Sequence, residues 1–182
     1  MLRRKCEFVT NLRRLEKDDG PKMKLEFDPQ NPLFNIVLLE PEIPSNTGNI
    51  GRTCVGTGSH LHLIEPLGFE LSDKRVKRAG LDYWPDLSLT VYPNFEAWLA
   101  AVPDPSRIFY LTTKVDKTIY HTQFKRGDWF VFGKETKGLP EDLIFSNQEQ
   151  ALTIPHTDKI RSFNLSNAVS MILGEGIRQI HT

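Results

Sequence analysis

Ile154-Pro155-His156-Thr157-Asp158-Lys159-Ile160-Arg161-Ser162-Phe163-Asn164-Leu165-Ser166-Asn167-Ala168-Val169 joins a short apolar strand to the last helix of the chain. Most connections between elements run two to six residues, so a connector of this length needs a reason. It is also crowded with side chains that hold polar ligands: Arg161, Ser162, Asn164, Ser166 and Asn167. From Asn164 onward the apolar positions Leu165, Ala168, Val169, Ile172, Leu173, Ile177 and Ile180 repeat at helical spacing with a wide apolar face.

Upstream, short apolar runs alternate with helical segments. Strands are expected at Phe34–Leu39, His60–Ile64, Leu87–Val91, Ile108–Leu111, Trp129–Phe132 and Ala151–Ile154. Helices are expected from about Thr47 to Thr57, capped by Ser45 or Asn46, and around Phe95–Leu99, ended by Pro103. A helical turn should begin with Pro140 at its first position. Strands alternating with helices predict an α/β fold, a mostly parallel sheet covered on both faces.

The bulk properties set limits. A chain of 182 residues with a 39% apolar share fits one globular domain. Charge is balanced at 23 basic and 23 acidic residues, so nucleic-acid binding must come from a local patch. Cys6 and Cys54 make no disulfide framework or zinc pattern and suit a reducing cytosol. No run reaches the roughly 18 apolar residues of a membrane span. Residues 1–32 are charge-dense and lack the apolar core of a secretory signal. They read as a poorly ordered extension before a domain at 33–182, with Met23 as an alternative translation start.

Three connectors carry residues that a plain turn does not need. Asn46-Thr47-Gly48-Asn49-Ile50-Gly51-Arg52 follows the first strand, where open parallel sheets bind ligands. It contains neither G-x-G-x-x-G nor a P-loop lysine. Arg52, in the first turns of a helix, suits a phosphate or an alkoxide, or an ion pair with Glu40. Phe132-Gly133-Lys134-Glu135-Thr136-Lys137-Gly138-Leu139-Pro140 leaves the fifth strand. There Gly133 admits a close ligand, Glu135 accepts from a ligand or braces an arginine, and Gly138 suits a positive φ. With the connector after the sixth strand, these are expected to converge on one cleft.

Other groups are read more plainly. His60 and His62 share one strand face and lack a third ligand for a metal, so packing explains them. His156, Asp158 and Ser162 sit too close in sequence for a hydrolytic triad, and no G-x-S-x-G elbow exists. Lys74, Arg75, Lys77 and Arg78 form a basic cluster followed by Tyr83-Trp84. That cluster is either a solvated helix face or a patch where cations and aromatics meet RNA.

These segments together resemble the SPOUT class of RNA 2′-O-methyltransferases, most closely the TrmL (YibK) type, the tRNA (cytidine/uridine 34-2′-O)-methyltransferases. The resemblance covers about Phe34 to Gln179. It rests on Glu40-Pro41-Glu42-Ile43-Pro44 with Asn46-x-Gly48-Asn49-Ile50-x-Arg52, then Arg78-Ala79-Gly80-Leu81-Asp82-Tyr83, Leu111-Thr112-Thr113-Lys114, Phe132-Gly133-x-Glu135-Thr136-x-Gly138, and Arg161-Ser162-x-Asn164-Leu165-Ser166-Asn167-Ala168-Val169. It implies a deep C-terminal trefoil knot, which general topology rules would not predict and which would explain the long connector.

The resemblance further implies a cytoplasmic enzyme that binds S-adenosylmethionine at Leu111, Gly133, Ile154 and Ser162, with Phe163 lining the pocket. Arg52 would be the catalytic residue and Asn46 would orient it. Glu135 would act as an orienting group, and Asn164 and Ser166 would order the cofactor loop. Lys74, Arg75, Arg78 and Arg161 would hold the anticodon loop of tRNA. No metal is implied. The final helix would form a homodimer. Relatives carry a tyrosine, a candidate for holding RNA, in a Tyr-Glu-Ala context where this chain has Gly174-Glu175-Gly176. Two other functions fit a similar sequence: a 2′-O-methyltransferase of ribosomal RNA or another tRNA site, and a non-catalytic RNA-binding protein of the same fold.

Overall fold

A computed structural model of the chain describes residues 24–25, 28–71 and 83–181. The expected extension, residues 1–32, and the basic cluster Lys74, Arg75, Lys77 and Arg78 lie partly or wholly outside the described residues. Where the extension is described it is pinned. Leu25 packs against the core, and Arg126 Nη1 donates to the Asn31 carbonyl at 2.9 Å.

Apolar runs of four or five residues bury both faces and form the centre of a sheet. Strands β1 (Asn35–Leu39), β4 (Ile108–Leu111) and β5 (Trp129–Phe132) are buried at every position. With β2 (His60–Ile64), β3 (Leu89–Tyr92) and β6 (Ala151–Leu152) they make a six-stranded sheet of order β3-β2-β1-β5-β4-β6. Every pairing is parallel. Helices α1 (Pro44–Thr57), α2 (Phe95–Ala101), α3 (Glu141–Ser146) and α4 (Leu165–Ile180) provide the crossovers and the covering layers.

The period of two along each strand sorts side chains between two cores. Ile36, Leu38, Phe109, Leu111, Phe130 and Phe132 pack beneath α1 and α4, against Ile50, Val169, Ile172 and Leu173. Val37, Leu39, Ile108, Tyr110 and Val131 face the other way, against Trp98 of α2 and Ile144 of α3. At the N-terminal edge of the sheet, fully buried Asp128 is neutralised by Arg107, whose Nε and Nη2 donate to its carboxylate at 2.8 and 2.6 Å. That fork fixes β4 beside β5.

Several boundaries differ from the sequence reading. The third strand starts at Leu89 rather than Leu87, and the sixth ends at Leu152, with Thr153 only bridging to Thr118. Helix α1 begins at Pro44 with Ile43 as its N-cap, and no side chain of its own caps it. Pro140 is the N-cap of α3 rather than its first residue. Tyr83, one of the two aromatics offered to RNA beside the basic cluster, is buried, and its hydroxyl donates to the Gly48 carbonyl of α1.

The apolar face of α4 is spent inside the molecule, on the sheet and α1. Gly176 permits this, because a Cβ there would lie 2.5 Å from the Phe34 ring. Gly174 faces open space.

Candidate functional site

The connectors after β1, β4, β5 and β6 leave the same edge of a parallel sheet and meet over it. They enclose a cleft of about 520 Å³. Its apolar walls include Leu111, Leu139, Ile154 and Phe163, and its polar rim includes Thr112, Ser162, Asn164 and Arg161. A cavity of this size and mixture suits a ligand with one flat apolar part and a few polar groups.

One hydrogen-bonded line holds three of the four connectors together. Glu135, from the β5 loop, accepts from the Glu42 N–H at 2.8 Å, the Ile43 N–H at 3.2 Å and Asn46 Nδ2 at 3.1 Å. It thus satisfies donors at the start of α1 and places negative charge at the positive end of that helix. Glu42 returns the clasp by accepting from the Thr136 N–H and hydroxyl at 3.1 and 2.8 Å. Asn46 Oδ1 accepts from Asn164 Nδ2 at 3.0 Å, which brings in the β6 connector. Asn164 Oδ1 in turn accepts from the Ser166 N–H and hydroxyl at 2.9 and 2.7 Å, capping α4.

Two glycines shape the β5 loop. Gly138 has a φ of 70° and its N–H bonds back to the Lys134 carbonyl at 2.8 Å. A Cβ on Gly133 would lie 2.1 Å from the Gly138 carbonyl carbon. Gly133 is therefore required by the loop closing on itself, whereas the sequence offered only ligand approach as a reason. The β6 connector is stitched to the segment before β5. The Thr153 N–H donates to the Lys117 carbonyl at 2.8 Å, and the Ile119 N–H donates to the Thr153 carbonyl at 3.0 Å.

Leu111, Gly133, Glu135, Ile154, Arg161, Ser162, Phe163, Asn164 and Asn46 thus come together around one cleft. Ser166 lies just outside it, in the first turn of α4. Arg52 is exposed on α1, six residues beyond Asn46 and so about 9 Å further along the helix axis. Its guanidinium carbon is 5.6 Å from the centroid of the Tyr83 ring. Glu40, the carboxylate that local spacing offered to Arg52, pairs with Lys134 instead. That pairing raises the Lys134 pKa.

His156 is a cleft residue that the sequence reading considered only as part of an unworkable triad. Its Nδ1 is 3.1 Å from the Ile154 carbonyl, and its ring meets Phe163 edge-on at 5.9 Å. Nothing in its local spacing marked it, because its place depends on the path of the whole connector. Ile43, Leu165 and Ala168 were also missed as lining residues. Among the described residues no helix is long and apolar enough to cross a membrane.

The SpoU rRNA Methylase family matches residues 33–174. The tRNA (cytidine(34)-2'-O)-methyltransferase of Burkholderia cenocepacia (strain HI2424) is 50% identical over 150 residues, which cover 81% of this chain and 96% of the relative. The enzyme of that name from Aeromonas hydrophila is 52% identical over 149 residues, covering 81% and 95%. A solved structure described as "Structural insights into the 2-OH methylation of C/U34 on tRNA" superposes with a TM-score of 0.77 at 41% identity, covering 84% of this chain and 97% of its own. The SpoU Methyltransferase AviRb from Streptomyces viridochromogenes, in complex with the cofactor AdoMet, shares the fold with a TM-score of 0.69 at 20% identity, covering 82% and 58%.

Proposed function

The chain belongs to the SpoU rRNA Methylase family, and from that premise we propose that it transfers a methyl group from S-adenosylmethionine to the ribose 2′-hydroxyl of nucleotide 34 of tRNA. The observation that carries this reading is the identity of about half the residues with tRNA (cytidine(34)-2'-O)-methyltransferases over nearly their whole length. The motif residues that line the cleft support it.

S-adenosylmethionine fits the donor set: Leu111, Leu139, Ile154 and Phe163 offer apolar walls to a purine, and Thr112 and Ser162 offer hydroxyls. When bound, it supplies an electrophilic methyl group on a sulfonium. The protein must then hold a ribose oxygen in line and favour its deprotonated form, and positioning is the larger share of that work. The line Glu135–Asn46–Asn164–Ser166 keeps the cleft walls in register. A guanidinium offers only N–H donors and no acceptor, so Arg52 is no general base. It stabilises the developing alkoxide and grips the neighbouring phosphate. Arg161, at the mouth of the cleft, with Lys74, Arg75 and Arg78, holds the anticodon loop.

The connector 153–164 threads the segment between β4 and β5 as a trefoil knot, a path supported by the backbone bonds of Thr153. The protein works in the cytoplasm as a homodimer. Since the inner face of α4 is buried, the partner packs on its outer stripe of Asn167, Ser170, Met171 and Gly174. Sedimentation should show a dimer that Gly174→Arg dissociates. A monomeric wild-type chain would rule this interface out.

Incubation with labelled S-adenosylmethionine and total tRNA, followed by mapping of the modified nucleotide, tests the function. Label on the 2′-oxygen of nucleotide 34 is the expected result. Label elsewhere in tRNA, label only in ribosomal RNA, or no transfer would each overturn it.

A further inference from the structure

A second cavity of about 520 Å³ opens beyond the end of β1, beside the start of α3. The β5 loop separates it from the cofactor cleft. Lys114, Lys134 and Lys137 border both cavities. The ammonium groups whose partners are fixed belong to the second one. Lys134 Nζ pairs with Glu40, and Lys114 Nζ pairs with Glu141 at 2.5 Å. Glu40 and Glu141 line the second cavity and not the first. Lys137 makes no ion pair among the described residues.

Three lysines therefore face two carboxylates over a floor of Leu39, Leu139 and Pro140. Both ion pairs are partly or largely exposed, with Glu141 at 83% and Lys134 at 37% side-chain exposure. Such pairs contribute little and exchange readily. A phosphate oxygen makes a charge-assisted bond to the same ammonium at no greater cost. Glu40 also has a φ of 51°, and it is the only non-glycine residue with positive φ among those described. A non-glycine residue in that region is uncommon and clusters at functional sites.

We propose that this second cavity receives backbone phosphates of the RNA substrate. Lys134 and Lys137 are the direct contacts, and Glu40 is the carboxylate that a phosphate displaces from Lys134. This rests on the methyltransferase reading above and deepens it. The second cavity shares Lys114, Lys134 and Lys137 with the cofactor cleft, so it lies beside any ribose that the cleft receives.

Binding of tRNA across a salt series tests the site, with calorimetry of S-adenosylmethionine on the same proteins. Lys134→Ala/Lys137→Ala should weaken tRNA binding and lower the slope of log K against log salt by about 1.4, at about 0.7 per single-strand phosphate contact. Glu40→Gln should tighten tRNA binding about two- to fivefold, the scale of one exposed ion pair. Cofactor affinity should hold in both variants. An unchanged salt slope, weaker tRNA binding by Glu40→Gln, or lost cofactor affinity in the double variant would overturn the assignment. A wild-type protein that binds no tRNA at low salt would overturn the functional reading as well.

Discussion

Glu135 does for α1 what a capping-box glutamate does from within its own helix, but it reaches from more than ninety residues away. Two of its three donors are backbone N–H groups with no other acceptor in the helix start. Removing the carboxylate takes away the acceptor that caps the helix start, at a cost of about 1 kcal/mol, the scale of a lost N-cap. Glu135→Ala should therefore lower the urea midpoint and weaken cofactor binding together, because the cleft wall loosens with the cap. Glu135→Gln, which keeps one acceptor, should lose less of both. The sequence exposed Glu135 as special but not its task, since capping rules look only three residues along the chain. Arg52 is the opposite case: its type and motif were legible, but it stands on the outer flank of α1 rather than in the cleft wall. A group that acts on the incoming RNA should affect turnover alone. Arg52→Ala should reduce methylation on the order of 10²-fold or more while calorimetry finds cofactor affinity retained.

At the scale of elements, α4 shows how far periodicity carries. Its apolar spacing predicted a helix from Asn164, and the helix spans Leu165–Ile180 with Asn164 as its cap. Periodicity could not say what the apolar face covers. The sheet takes it, because Gln179 ties the helix to the β4–β5 segment through the Thr122 carbonyl and the Phe124 N–H at 3.0 and 2.8 Å. The two glycines, two residues apart, then have opposite meanings. A methyl at Gly176 would drive into the Phe34 ring, and overpacking of this kind costs about 1–3 kcal/mol. A methyl at Gly174 meets nothing within 4 Å and improves helix propensity by up to about 1 kcal/mol. Chemical denaturation at low protein concentration should show Gly176→Ala destabilised and Gly174→Ala stabilised. A loss of stability in both would mean that the outer stripe is packed.

For the whole molecule, the strands and their alternation with helices were legible because each strand is a continuous apolar run. The convergence of special connectors followed from a single rule, that parallel strands end on one edge. The order β3-β2-β1-β5-β4-β6 was not legible, since nothing in an apolar run tells β5 to insert between β1 and β4. That order buries His62 on the sheet face above Trp129, at 4.6 Å, and beneath the stacked ring of His60, at 4.2 Å. His62 Nε2 lies 3.1 Å from Asn35 Oδ1, and the buried Nδ1 has no partner among the described residues. Burial, and secondarily the charge on His60, push the His62 pKa down from 6.5 to about 3. The folded state thus holds this imidazole neutral while the unfolded chain takes up a proton below pH 6.5. The stability dependent on neutral His62 is complete above pH 6.5 and is lost as pH falls toward 3. Ordinary carboxylates, with midpoints near 4, titrate mainly below about pH 5.5, so the window from 6.5 to 5.5 isolates the histidines. Unfolding free energies across that window should decline by up to about 1.4 kcal/mol per pH unit for each such proton, and Trp129 fluorescence can follow the transition. His62→Gln cannot take up that proton, so its stability should vary less steeply over the same window. An equally steep decline in the variant would place the proton uptake elsewhere in the fold.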